Sequence, residues 1–276
     1  MNHNVAQLCR NPARNAGDLM PIEQMAAQFD AISLDEMANV SLLNRVDTKY
    51  LMGLSHLEAI LPHLMQQYRV LCIDQVRLNH YETLYFDTND LALYRQHHNG
   101  TGSRYKVRAR RYVESDQAFF EVKHKTNQDR TVKSRMPIPG LTAQVQAAIS
   151  SFIGAHTPLS ADLLEPKLWN EYLRMTLVSE DRPERVTLDF HLKFGRGSTV
   201  VTLPGIAIAE VKREHLTQDS AFTQQMRQHG IHPASFSKYC AGVWMLYESI
   251  KVNNFKPQMH QLHKVIQEEM QHDTMD

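Results

Sequence analysis

The chain has 276 residues, with 30 Lys plus Arg, 30 Asp plus Glu and a 42% hydrophobic fraction. That balance fits a globular protein with an ample core and excludes the global basic field of a nucleic-acid binder. Cys9, Cys72 and Cys240 are odd in number and far apart, which argues against a disulfide framework and for a reducing compartment. No apolar run approaches the ~18 residues of a membrane span, and the opening residues lack the apolar core of a signal peptide. The expectation is a cytoplasmic protein.

Residues 1 to about 20 are polar without period and read as a loose tail. Over 22–43 the apolar residues Ile22, Met25, Phe29, Ile32, Leu34, Met37 and Val40 recur mostly at helical steps, and Ser33 with Glu36 forms a candidate capping box. A strand is predicted over 45–52, then a helix over 55–68 opened by Ser55 and kinked at Pro62. From Val70 the period becomes two. Strands are predicted at 76–86, 104–113, 119–125, 131–136, 168–178, 185–194, 198–203 and 206–213. Helices are predicted over 142–153, 218–229 and 236–250, with a helical stretch over 258–269. The boundaries that follow are a tail at 1–30, a main domain at 31–250 and a second tail at 251–276. Many strands with helices at their ends make an α+β chain built on a large antiparallel sheet or barrel.

Alternate residues of a strand share a face, so charge can be sorted by face. One face of 104–113 holds Arg104, Lys106, Arg108 and Arg110. Other polar faces group Arg45, Asp47 and Lys49; Glu121, Lys123 and Lys125; Lys133 and Arg135; Asn170, Tyr172, Arg174 and Thr176; Glu210 and Lys212. Residues 185–193 place Arg185, Thr187, Asp189, His191 and Lys193 on one face, opposite Val186, Leu188, Phe190, Leu192 and Phe194. A plain antiparallel sheet with a solvated outer face explains any one strand. Solvated faces mix their charges, however, and these carry many cations against only Asp47, Glu121, Asp189 and Glu210. Turned inward, they would line a cationic lumen that only a polyanion makes tolerable. Arginine suits phosphate oxygens because its fork donates two parallel bonds.

Ten motifs carry a family resemblance: ISLDEMAN, RVDTKYLM, YETLYFDTNDLALYRQH, SRYKVRARRY, FFEVKHK, VKSRMP, EYLR, RVTLDFHLKF, AIAEVK and SFSKYCAG. In this order the chain resembles the VTC domain, the polyphosphate polymerase branch of the triphosphate tunnel metalloenzymes within the CYTH-like superfamily. The resemblance implies an eight-stranded antiparallel tunnel with helices at its ends and outside. It implies that Lys49, Arg108, Arg110, Lys123, Lys133, Arg174, Arg185 and Lys238 are catalytic phosphate ligands. Arg45, Lys106, Tyr172, Lys212 and Ser237 would help bind the substrate. Glu210, with Glu121 as a second ligand, would hold Mn²⁺ or Mg²⁺. Structural alternatives stand beside these roles: an ion pair of Glu210 with Lys212, a pair of Glu121 with Lys123 or a cross-strand cation, and a plain helix cap for Ser237.

Several features point elsewhere than chemistry. Asp87 reads as a turn or cap residue, and the adjacent His97 and His98 diverge beside an Asn99–Gly100 turn. The loop at Gly100 and Gly102 lacks the lysine of a P-loop. Hydrolases of the superfamily open on an E-x-E-x-K strand; here that face reads Arg45, Asp47, Lys49, which favours the polymerase branch. The activity implied is passage of the γ-phosphate of ATP to polyphosphate, releasing ADP, through a tunnel open at both ends. The alternatives are hydrolysis of triphosphate or polyphosphate, and a silent polyphosphate-binding module.

Overall fold

A computed structural model of the chain describes residues 20–38, 46–128, 130–214 and 219–272. Its strands are β1 (Ala31–Ile32), β2 (Val46–Gly53), β3 (Tyr68–Leu71), β4 (Leu78–Asp87), β5 (Arg104–Tyr112), β6 (Gln117–Lys125), β7 (Thr131–Ile138), β8 (Glu165–Ser179), β9 (Glu184–Arg196), β10 (Thr199–Arg213) and β11 (Pro233–Ala234). The α-helices are α1 (Met20–Gln28), α2 (Leu34–Ala38), α3 (Leu54–Ile60), α4 (Ala92–His98), α5 (Ala147–His156), α6 (Ala221–Gln228), α7 (Lys238–Leu246) and α8 (Lys256–His272).

The sheet runs β11-β2-β10-β9-β8-β4-β5-β6-β7, and β3 joins it through β8. Its eight long strands, β2 and β4 to β10, are all antiparallel to their neighbours, as expected. The tunnel is not a closed barrel. Among the described residues β7 pairs with β6 alone, so the hydrogen-bond ladder ends there. The cause is legible in β7 itself. Its exposed residues include Lys133, Arg135 and Pro137, and edge cations and a proline without an N–H resist a further strand.

Three apolar clusters position the site. On the convex side, α1, α3 and α6 cover Tyr50, Met52, Leu188, Phe190, Ala209 and Val211. Ile22 and Ala26 of α1 are buried there, so the expected tail at 1–30 contributes a packed helix from Met20 onward. Helix α5 covers Val107, Ala109, Phe120 and Val122. The third cluster lies on the concave side, where α7 and α8 cover Leu51, Tyr85, Leu192, Phe194, Ile206 and Ile208. Those two helices pack over that part of the concave face. The second expected tail is mostly α8, whose Met259, Leu262 and Ile266 are buried.

One residue corrects the face assignment of β9. His191 has φ 57°, and the β8–β9 register shifts between Glu171 and Leu173. This bulge adds a residue on one strand and reverses which face the following residues use. Phe190 therefore joins the convex core while Leu192 and Phe194 join the concave one. Lys193 leaves the face of Asp189 and pairs with Glu171 at 2.7 Å. The two strands predicted at 198–203 and 206–213 are one, β10, with a register shift at Gly205, φ 66°.

Candidate phosphate-binding site

The polar half of the concave face gathers cations around three carboxylates. Asp189 of β9 faces Arg174 of β8 across the ladder and accepts from Nε at 2.5 Å and from the terminal nitrogen at 2.7 Å. Lys238, first residue of α7, reaches the same carboxylate and lies 4.5 Å from the centre of the Tyr172 ring. Burial alone would raise the Asp189 carboxyl, but Arg174 and Lys238 hold it well below the usual carboxylate range. Glu210 of β10 stands opposite Lys49 of β2 and pairs with both Lys49 and Lys212. Burial opposes its charge too, and the two ammonium groups prevail. Glu121 of β6 pairs with Arg108 at 2.6 Å and Lys133 at 2.5 Å. Against burial, Arg108, Arg110 and Lys133 hold it at about 2.

Elsewhere the cations have no such partner. Arg110 is 6% exposed, bonds Thr83 Oγ1 at 3.2 Å and meets no carboxylate among the described residues. It lies 5.5 Å from the Tyr81 ring, which stacks on Tyr172; Arg174 approaches Tyr81 at 4.7 Å. The aromatic pair thus holds two guanidinium groups by cation–π attraction. The Tyr172 hydroxyl is buried without a hydrogen-bond partner. Lys106 and Lys123 sit opposite one another on β5 and β6 and form no salt bridge among the described residues. Lys106 donates to Ser237 Oγ at 3.0 Å. Burial, then the charge of Lys106, pushes Lys123 down to about 8. These two lysines, Lys49 and Ser237 line a cavity of about 390 Å³.

The cavity and the three clusters thus hold most of the residues singled out from sequence. Ser237 is the N-cap of α7, accepting from Cys240 N at 3.3 Å, and also the acceptor for Lys106. Arg185 stands apart: it lies level with Lys212 and donates to Met37 O at 3.4 Å, outside the cavity lining. Arg45 lies outside the described residues. Sequence reasoning assigned no role to Asp189, although its strand period placed it on this face. It also passed over His97, Arg104 and Lys125, which line the cavity. Arg104 and Lys125 continue the alternation of Lys106 and Lys123; His97 comes from α4, where no strand period could signal it. Asp87 behaves as a cap, accepting from Leu93 N at 2.8 Å and Tyr94 N at 2.9 Å.

No three His, Cys, Asp or Glu side chains converge as a metal cage among the described residues. Glu121 is enclosed by Arg108 and Lys133, which suits a counter-ion better than the second metal ligand expected of it. Glu210 is likewise closed by Lys49 and Lys212, so an ion carried in on phosphate oxygens would have to displace an ammonium group to reach it; Mg²⁺ binds through one or two carboxylates together with substrate phosphates.

A family model described as the VTC domain matches residues 44–247. The chain belongs to the VTC domain family. Helix α8 lies beyond the matched stretch of this VTC domain. Among curated proteins none matches it. Solved structures similar to it include a candidate adenylate cyclase from Vibrio parahaemolyticus, at 15% identity and TM-score 0.42, covering 71% of this chain and 95% of that one. Another, from Bacillus halodurans, has 13% identity and TM-score 0.44 over 74% of this chain and 98% of that one. A third, from Hippeastrum and described as having a dominant triphosphatase activity, has 12% identity and TM-score 0.47, covering 72% of this chain and 94% of that one.

Proposed function

We propose that this VTC domain transfers the γ-phosphate of ATP to the end of a polyphosphate chain. The observation that carries the reading is the facing pair Lys106 and Lys123, two half-buried like charges that form no salt bridge among the described residues, on the wall of a cavity about 390 Å³ in volume. Such a wall is costly unless an anion with several charges lies against it. A chain of phosphates supplies regularly spaced oxygens for Lys49, Lys106, Lys123 and, deeper, Arg108 and Arg110.

The chemistry asks little of the protein beyond placement. A terminal oxygen of the acceptor chain attacks Pγ, the bond from Pγ to the β-bridging oxygen breaks, and ADP leaves with that electron pair. No protein nucleophile takes part. The lysines and arginines align donor and acceptor and neutralise charge on the equatorial oxygens. A Mn²⁺ or Mg²⁺ held by Glu210 and the phosphates would add Lewis-acid neutralisation of that charge.

The test is one assay: purified protein with ATP and Mn²⁺, with and without a short polyphosphate primer, resolved for ADP, free phosphate and polymer. The expected result is ADP and lengthened polymer in step. Free phosphate in step with ADP would establish hydrolysis instead, and tight polyphosphate binding without turnover would leave a binding module.

A further inference from the structure

The cavity has two chemically different walls. One is mainly cationic, with Lys49, Lys106 and Lys123 outnumbering Asp47. The other is aromatic, built from Phe236, which precedes α7, and Phe255, which precedes α8. Phe255 is half-buried, leaning on Tyr94 at 5.7 Å and His98 at 5.5 Å, while Phe236 is 8% exposed. The apolar side extends into an adjoining recess of about 30 Å³ floored by Trp244 and edged by Gln258. His97 also lines the cavity, close to Lys106 and Arg104. Burial, then those two charges, pushes it down to about 2, so its ring is neutral.

A phosphate chain has no use for an aromatic wall. Its oxygens are hydrated or cation-bound, and apolar carbon beside them costs desolvation without return. A ligand with a flat ring at one end and phosphates at the other satisfies both walls together. Rings stack on aromatic side chains with little regard to base identity. The volume lies within the roughly 300–1,000 Å³ typical of small-molecule sites.

We propose that Phe236 and Phe255 form a nucleobase subsite in this cavity beside the lysines, so that the donor recognised here is a nucleoside triphosphate and not inorganic triphosphate alone. This rests on the phosphate-binding reading above and adds where the base lies. Phe255 falls outside the family-matched residues, so the subsite is built partly by the segment that leads into α8.

Binding tests this without turnover. Affinities for ATP and for inorganic triphosphate are measured on the full chain by calorimetry, without divalent metal. Phe255→Ala should weaken ATP about tenfold, as loss of a stacking surface does, and leave triphosphate within about twofold. Phe255→Leu keeps the volume that packs on Tyr94 and His98, and should show the same ATP-selective loss if the aromatic face is what matters. Equal losses for both ligands in Phe255→Leu, or no loss of ATP binding in either variant, would overturn the subsite. Wild-type protein that binds triphosphate but not ATP would overturn it too and leave the phosphate reading standing. Failure to bind either ligand would overturn both.

Discussion

Two parts of one sheet face hold cations in opposite ways. Around Asp189, Arg174 and Lys238 are fitted to a buried carboxylate, with Tyr172 beneath the ammonium. Around Lys106 and Lys123, three and four strands further across the sheet, the ammonium groups confront each other across β5 and β6 without a salt bridge among the described residues. The first arrangement is complete in the free protein and serves its stability. The second is strained by its own charge, and under the proposed function a phosphate ligand completes it. The cationic face thus joins a built half that fixes geometry to an open half proposed to bind.

The largest expected effect tests the built half. Asp189→Asn leaves Arg174 and Lys238 buried without their counter-ion and should cost about 3–5 kcal/mol in chemical denaturation. A loss under ~1 kcal/mol would erase the distinction between the two halves. Next comes the open half: triphosphate or polyphosphate at ~100 times its Kd should stabilise the protein by about 2.7 kcal/mol. Added salt should weaken that binding by screening, and an unchanged melting curve at low salt would break the comparison from the other side.

Glu210 lies between the halves, since it pairs two lysines yet is the carboxylate to which the proposed function gives a phosphate-borne metal. Glu210→Gln should lower metal-dependent turnover at least about tenfold while polyphosphate binding holds or tightens, because Lys49 and Lys212 are freed for phosphate. Wild-type turnover at saturating Mn²⁺ would remove Glu210 from the metal's ligands.

The smallest effect sharpens the open half. Lys123 titrates near 8 in the folded chain against an ordinary 10.5, so between those values the unfolded chain binds more protons. Stability of the ligand-free protein should therefore rise as pH climbs from about 8 toward 10.5, while phosphate affinity falls over the same window. Lys123→Met should remove that part of the slope and stabilise the free protein by about 1 kcal/mol, since it replaces a half-buried charge that faces Lys106 with an apolar side chain. A denaturation series across this pH range, run on both proteins, reads both effects.

Much of this was legible in the chain because alternation in a strand is local: where Lys106, Arg108 and Arg110 point follows from their neighbours in sequence. The charges of β5, β6, β7 and β10 could be sorted onto one face by counting, and Asp87 could be read as a cap. Three things could not be counted. The bulge at His191 moves Lys193 to the other face, and a left-handed residue inside an otherwise regular period leaves no mark in hydropathy. Which cations are neutralised depends on partners far along the chain, such as Asp189 with Lys238, 49 residues apart. Whether the tunnel closes depends on where β7 ends up. Sequence by itself determined the sign of the charge on the face, because that is a property of residues and their period. Tertiary structure alone decided which of those charges are satisfied, because compensation depends on distance in space.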